Sequence, residues 1–440
     1  VLCLLGLVAF AGPARAASPE PGDATYHSLR YNDDFTYLAD PARSSDPWDP
    51  LKYIPLGDGP YGPSYLSFGG ELRERFESYL NPNFGIHAPK ADAYLLHRLL
   101  LNTDLQVTNY VRAFVQLGNL ERLGDRGVTS STDIDHFDLM QGFIDLHPPS
   151  PLGDAPVIRI GREELLFGYQ RLIAVREGPN VRRDFDGFRL HDTIDDVSID
   201  LLAVRPVADA EDVFDDHANP NQSLWGGYLT LPVGPVLKSD VYWLNYQNDA
   251  AKFRGLTGSE QRHTFGARLF GEVDGFDWNG EVALQTGRFR GRDIRADMLA
   301  GIAGYTFTGT PLLPRIGIET NFASGDNSHS SSIGTFNAMF PRLPYFAETS
   351  TTCVRCSASG RRPRSLQPLA GTCCGAHPPR TGCTAAASCN MPAPTKPQAR
   401  GSAPNCPPTS AGGSISICCS APSPRSSCPV RPCRRHSARR

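Results

Sequence analysis

The stretch FDWNGEVALQTG, Phe276 to Gly287, decides the fold. Phe276, Trp278, Gly280, Val282, Leu284 and Thr286 fall on one side of an extended chain, while Asp277, Asn279, Glu281, Ala283 and Gln285 fall on the other. Successive side chains of a strand point to opposite faces, so this segment predicts a strand with one apolar and one polar surface. Outward from it the same alternation recurs. Phe265, Ala267 and Leu269 alternate with Arg268 and Glu272; Ile316, Ile318 and Phe322 alternate with Arg315, Glu319 and Asn321. Nearer the N-terminus, Leu66, Phe68, Leu72 and Phe76 alternate with Glu71, Arg73, Arg75 and Glu77. Leu95, Leu99, Leu101, Leu105 and Val107 alternate with Arg98, Asn102, Asp104 and Gln106, and Val111, Ala113, Val115 and Leu117 with Arg112, Gln116 and Gly118.

About thirteen such strands are expected between Ser64 and Ser324, the fainter ones near 137–146, 198–205, 223–231 and 236–246. No stretch approaches the roughly 18 apolar residues of a membrane helix. A membrane reading therefore requires a barrel, since only helices and closed barrels satisfy every backbone group in lipid. A secreted sandwich or propeller would show similar alternation. The recurring Arg and Glu opposite the apolar face weigh against it, because a sheet covered on both sides would bury them. The expected class is all-β: an antiparallel transmembrane β-barrel with a polar lumen.

Composition divides the chain near residue 350. The whole carries a formal charge of −3, yet residues 351–440 hold 13 of the 43 Lys and Arg and no Asp or Glu, leaving 30 basic against 46 acidic residues, or −16, for 1–350. Eleven of the 12 Cys lie at or after Cys353, so the preceding domain is expected to hold together without disulfides. The apolar run Val1 to Phe10, followed by Ala14-Arg15-Ala16-Ala17, reads as a signal peptide over residues 1–17. Residues 18–63 are expected to form a periplasmic, plug-like segment and 64–350 the barrel. The tail, with Cys353-x-x-Cys356, Cys373-Cys374, Cys418-Cys419 and a terminal Arg cluster, fits no regular zinc pattern. Rich in Arg, Pro, Ser and Cys and without aromatics, it reads as disordered and has the composition of an out-of-frame translation of a GC-rich gene. On that reading the strands that would close the barrel are not recognisable in this chain.

Three blocks resemble the alginate-export type of outer-membrane protein. The first runs from Asp34-Phe35 and Leu38-Ala39-Asp40-Pro41 through Asp46-Pro47-Trp48-Asp49-Pro50-Leu51-Lys52-Tyr53-Ile54-Pro55-Leu56 to Tyr65-Leu66-Ser67-Phe68-Gly69-Gly70-Glu71-Leu72-Arg73-Glu74-Arg75. The second is Ile160-Gly161-Arg162-Glu163-Glu164-Leu165 with Gly168, Arg171-Leu172, Arg176, Pro179-Asn180, Arg182-Arg183 and Phe185-Asp186-Gly187; the third is Gly334-Thr335-Phe336-Asn337 with Phe340-Pro341-Arg342 and Tyr345-Phe346. The resemblance spans roughly Tyr31 to Glu348. It implies a monomeric barrel of about eighteen strands in the bacterial outer membrane, an Arg-rich lumen, and passage of an anionic polysaccharide or sugar acid. It also leaves room for a periplasmic export partner.

Guanidinium groups replace the hydration of a carboxylated sugar with bidentate hydrogen bonds, and rings of Arg are how pores select anions. The residues expected to line the pore are Arg73, Arg75, Arg98 and Arg112 from the early strands, with Arg159, Arg162, Arg171, Arg176, Arg183, Asp186 and Arg189 from the densest basic stretch. Strict alternation aims Arg159 and Arg189 at the lumen. Arg162 falls on the face of Ile158 and Ile160, so it reaches the pore only if a bulge or the rim intervenes. The interspersed Glu163, Glu164, Glu177, Asp184 and Asp186 either weaken each binding step enough for conduction or brace the wall; for Glu71, Arg73, Arg75 and Glu77 bracing is the expectation. A general porin for small solutes and a surface β-domain with a binding role are the alternatives.

No Gly-x-Ser-x-Gly turn occurs, and His87, His97, His136, His147 and His191 lack ligand spacing, so neither enzyme activity nor a cofactor is expected. A thiol-rich arm for nucleic acid makes little sense on an exported barrel, and no nucleic-acid partner is expected. Asp215-Asp216-His217, and Asp192 with Asp195-Asp196, could hold calcium in a loop, but clustered loop carboxylates are ordinarily just solvated, and no metal is assigned.

Overall fold

In a computed structural model the described residues are 26–81, 91–124, 130–150, 155–310, 312–326, 331–342, 353–358 and 416–418. The expected signal peptide, most of the tail and the Tyr345-Phe346 end of the third block lie outside them. A short helix, α1 (Asp49–Lys52), leads into β1 (Ile54–Gly59) and β2 (Gly62–Leu80). There follow β3 (Ala91–Thr108), β4 (Val111–Leu123), β5 (Asp135–Leu146), β6 (Val157–Glu164), β7 (Asp184–Ile194), β8 (Val197–Ala208) and the two-residue β9 (His217–Ala218). The second half comprises β10 (Gln222–Pro232), β11 (Leu237–Phe253), β12 (Leu256–Val273), β13 (Phe276–Phe289), β14 (Arg292–Thr306), β15 (Arg315–Ala323) and β16 (Cys353–Ala358).

The strands form an antiparallel meander, each pairing with its neighbour in the chain, except that β10 passes β9 to pair with β8. The four faint segments are β5, β8, β10 and β11, the last running on to Phe253. The sheet begins at Ile54, ahead of the alternating pattern, because Ile54–Gly59 doubles back on β2 as a hairpin. Its partly Gly- and Pro-built sequence carries no alternation to reveal it. Beyond β15 the described residues are 324–326, 331–342, 353–358 and 416–418.

The burial pattern is the reverse of a water-soluble protein. Leu72 is 65 % exposed and Leu284 63 %, with Leu101, Ile144, Ile160, Phe188, Phe265, Val282 and Ile318 on the same outer face, while Arg98 is 0 % and Asp145 1 % exposed on the inner one. A continuous apolar surface of this extent faces lipid rather than water. All-β architecture with an apolar exterior and a charged interior is a transmembrane β-barrel wall.

One end has the tight links Asn109–Tyr110, Asp195–Asp196 and Asp274–Gly275; the other carries residues 165–183 and 209–221 together with the two-residue turns Arg254–Gly255 and Arg290–Gly291. Asp195 and Asp196 both have positive φ (49° and 67°), the geometry of a two-residue hairpin turn. The gathering of residues 165–183 and 209–221 at one end matches outer-membrane barrels, whose long loops face outward. Gly161, with φ +139°, needs its lack of a side chain: a Cβ there would lie inside van der Waals distance of the Gly142 carbonyl oxygen and beside Phe143.

Candidate functional site

The inner face is not an open bore, because three segments fold onto it. Residues 165–183, between β6 and β7, turn inward. Leu165, Phe167, Leu172 and Ile173 pack with Leu202, Val204, Leu224, Tyr228 and Tyr242 of the wall. Residues 331–342 enter from the same end: Ile173 bridges Phe340, and Ala174 N–H donates to the Phe340 carbonyl at 2.9 Å. From the N-terminus, the Tyr31 ring sits edge-on to Phe114 and Phe143, beneath the Arg159 guanidinium at 4.1 Å. The Tyr31 hydroxyl donates to the Glu164 carbonyl at 2.9 Å.

Charged side chains hold these segments to the wall. Arg171, fully buried, pairs with Glu281 of β13 at 2.7 Å and donates to Asn279 Oδ1 at 2.8 Å, tying the inserted loop to the far wall. Glu281 also accepts from the Tyr242 hydroxyl at 2.7 Å. At the near wall, Asn180 is 0 % exposed and its amide donates to the carbonyls of His97 and Asp133, each at 2.9 Å, and of Glu121 at 3.3 Å. Arg73 donates to the Glu177 and Pro179 carbonyls at 2.9 and 2.8 Å, Arg75 to the Gly178 carbonyl, and Arg98 pairs with Glu71 at 2.7 Å and with Glu177. Glu77 pairs with Arg75 at 2.7 Å and accepts from the Tyr79 and Tyr94 hydroxyls, each at 2.7 Å.

Most of the eleven sequence-derived residues meet on this face with carboxylates beside them. Arg112 is bonded to Asp104 at 2.6 and 2.8 Å and donates to the Tyr31 carbonyl. Arg159 grips Asp145 through two bonds, 2.7 and 2.8 Å, and reaches Glu163 at 3.1 Å; Arg189 joins Asp200 at 2.6 Å and the same Glu163 at 3.4 Å. Both point inward, as alternation requires. Arg162 and Asp186 do not share that direction. They stand opposite each other in the register, in the row of Gly142 rather than Asp145, and their pair at 2.8 Å sits at the long-loop rim, where Arg162 also donates to the Leu139 and Asp216 carbonyls. No bulge in the β5–β6 register intervenes, so the rim alone accounts for their burial.

Arg176 pairs with Asp209 at 3.3 Å. Arg183 differs from the rest: its contacts are the Ala174 and Pro341 carbonyls at 3.4 and 3.5 Å and the Phe340 ring at 5.2 Å, and no carboxylate lies within ion-pair distance of it among the described residues. Desolvation, with repulsion from Arg176, pulls its pKa down to about 9, opposite to Arg182, where desolvation is outweighed by the charges of Glu164, Glu177 and Glu71, which raise it. Arg183 therefore stays cationic at neutral pH in a place that penalises the charge.

Further pairs lie on the inner face: Arg182 with Glu164 at 2.6 Å, Arg262 with Glu260 at 2.6 Å and Arg268 with Asp240 at 2.6 Å. Arg182 and Glu164 belong to the dense charged stretch and Arg268 was signalled by its alternation, whereas Arg262 was not singled out; Asn180 and Tyr31 carried no periodic signal, since they lie outside the strands. Of the two loop carboxylate groups, Asp195 and Asp196 form the hairpin turn described above. Asp216 instead meets Asp135 and Asp138, with carboxylate oxygens within 4.8 Å of one another.

These features define an outer-membrane β-barrel channel protein with an internally folded, Arg- and carboxylate-lined face. The alginate export family model matches residues 64–355, about two-thirds of the sequence, and the chain belongs to that family. Similar solved structures include OccK9 (OpdG) of Pseudomonas aeruginosa, 12 % identical over 66 % of this chain and 74 % of that one with a TM-score of 0.43. A BenF-like porin from Pseudomonas fluorescens Pf-5 is 10 % identical over 61 % and 85 %, TM-score 0.38. OccAB1 of Acinetobacter baumannii is 9 % identical over 60 % and 80 %, TM-score 0.36. No curated protein sequence matches the chain.

Proposed function

We propose that this outer-membrane channel passes an anionic sugar acid or uronate oligomer by diffusion, without a chemical step. The observation that carries the reading is Arg183. A half-buried guanidinium with no carboxylate within ion-pair distance among the described residues, and with Arg176 adjacent, gains most from a visiting anion, because two charge-assisted hydrogen bonds would replace hydration that partial burial has removed. Arg73, Arg75, Arg98, Arg112, Arg159, Arg162, Arg171, Arg176, Asp186 and Arg189 contribute differently. Their charges are matched or engaged by backbone carbonyls, so they shape the passage and keep the net field weak enough for release. Residues 26–43 act in this reading as a plug belonging to the 18–63 segment, supported by Arg112 bonding the Tyr31 carbonyl and Arg182 the Ser28 carbonyl at 2.8 Å.

The test is single-channel recording of the full chain in planar bilayers, with a salt gradient across the membrane. Anion-preferring current that oligouronates block and neutral oligosaccharides do not is expected, with Arg183→Gln moving the reversal potential toward cation preference. Current indifferent to oligouronates supports a general porin instead, and a reversal potential unchanged in Arg183→Gln removes that residue from the selectivity site.

A further inference from the structure

We propose that Asp135, Asp138 and Asp216 form a calcium-binding site at the long-loop mouth, clamping residues 209–216 to the start of β5. The three side chains come from two places far apart in sequence, yet each offers a carboxylate oxygen within 4.8 Å of the others. Asp135 is 0 % exposed, and neither of its oxygens has a hydrogen-bond partner among the described residues. An ionised carboxylate so placed, with all its lone pairs unused, is the costliest polar group a fold can carry, and a cation is what would satisfy it.

Backbone N–H groups orient the other two carboxylates and leave further lone pairs on them. Asp138 Oδ1 accepts from Leu139 N–H at 2.5 Å and its Oδ2 from the N–H groups of Asp215 and Asp216 at 2.9 and 3.3 Å, while Asp216 Oδ1 accepts from Ala210 N–H at 2.7 Å. Arg162 stands 3.9 Å from Asp216 but is bonded to Asp186, and the nearby Asp209 is paired with Arg176. Three carboxylates therefore face one shared and distant guanidinium.

The donor set is all oxygen, which selects a hard cation over zinc or copper. Calcium takes six to eight oxygens at about 2.3–2.6 Å in flexible geometry, which suits carboxylates gathered within 4.8 Å of one another from a strand and a loop, whereas magnesium demands near-ideal octahedral geometry at about 2.0–2.1 Å and sheds its waters reluctantly. Water and the second carboxylate oxygens complete the shell. A bound ion would link β5 to the loop whose Asp209 holds Arg176, and so steady the inserted loop from its outer side.

Equilibrium dialysis of the detergent-folded full chain against radioactive calcium tests the site. One ion per chain is expected, half-saturating at or below about 1 mM, the range of extracellular calcium modules. Asp135→Asn, which keeps the shape and removes the charge, is expected to weaken binding at least tenfold. Asp216→Asn, in a loop rather than a strand, should do the same and serves if the strand variant does not fold. A tenfold excess of magnesium should leave most of the calcium bound. No binding by the folded wild-type chain, equal binding by a folded variant, or displacement by equimolar magnesium would each overturn the proposal.

Discussion

Replacing Arg171 with Ala tests whether the inserted loop is held by its buried ion pair. Arg171 and Glu281 are 0 % and 5 % exposed in their side chains and 2.7 Å apart, and they join segments 110 residues apart in the chain. Removing one partner of such a pair leaves the other charge buried and unmatched, at a cost of about 3–5 kcal/mol. At 1.4 kcal/mol per factor of ten, the ratio of docked to released loop should fall by roughly two to four orders of magnitude. Glu281 keeps the Tyr242 hydroxyl, which places the effect toward the lower figure. The assay is hydrogen–deuterium exchange on the folded protein in micelles, following residues 165–183. The amides of Ala174 and Val181, bonded at 2.9 and 2.8 Å to the carbonyls of Phe340 and Thr132 outside the loop, report docking directly. Arg288→Ala is the control, since its pair with Asp293 at 3.7 Å is largely solvent-exposed and contributes little. If loop protection in Arg171→Ala matches the control, the ion pair does not hold the loop and the account of the inner face is wrong.

Asn180→Ala removes the amide that serves three wall carbonyls, and should lower stability by about 2–4 kcal/mol, read from the midpoint of urea unfolding; an unchanged midpoint would show those carbonyls to be satisfied otherwise. Gly161→Ala should impair folding, because the new Cβ meets the Gly142 carbonyl in a backbone conformation that L residues avoid; folded yields equal to wild type, measured by heat-modifiable gel mobility, would contradict this. Burial opposes the charge on Asp49, but the Lys52 ammonium and the N–H groups of Asp46 and Ser45 outweigh it and hold the pKa at about 2, below the ordinary 3.8. A depressed carboxylate stabilises above its unfolded pKa and loses that contribution as pH falls toward the folded one. Pepsin cleavage around residues 44–52 should therefore accelerate between about pH 4 and pH 2 in the wild type and lose that dependence in Asp49→Asn; the same acceleration in both would refute it.

Alternation alone was enough to read the wall from the chain. Leu72, Phe265 and Leu284 were placed on the outer face and Arg73, Arg268 and Glu281 on the inner one, because a period of two survives any detail of register. The direction of Arg159 and Arg189 followed from the same rule. Arg162 and Asp186 marked its limit: at the rim, loop residues cover either face, and burial no longer reports the side of the sheet.

What sequence could not supply was which charges cancel. Arg159 and Arg183 look equivalent as letters, yet one grips Asp145 and Glu163 and the other has only carbonyls and a ring. The difference arises because residues 165–183 and 331–342 have no repeating pattern and acquire their positions from contacts with distant strands, 108 residues away for Arg171 and Asn279 and 52 for Asn337 and Gln285. The sequence by itself determined an inside-out antiparallel wall and its family. Only the tertiary structure decided that segments fold over the inner face, that Arg183 has no carboxylate within ion-pair distance among the described residues, and that Asp135, Asp138 and Asp216 share one place. Each of these depends on long-range packing, which local periodicity does not encode.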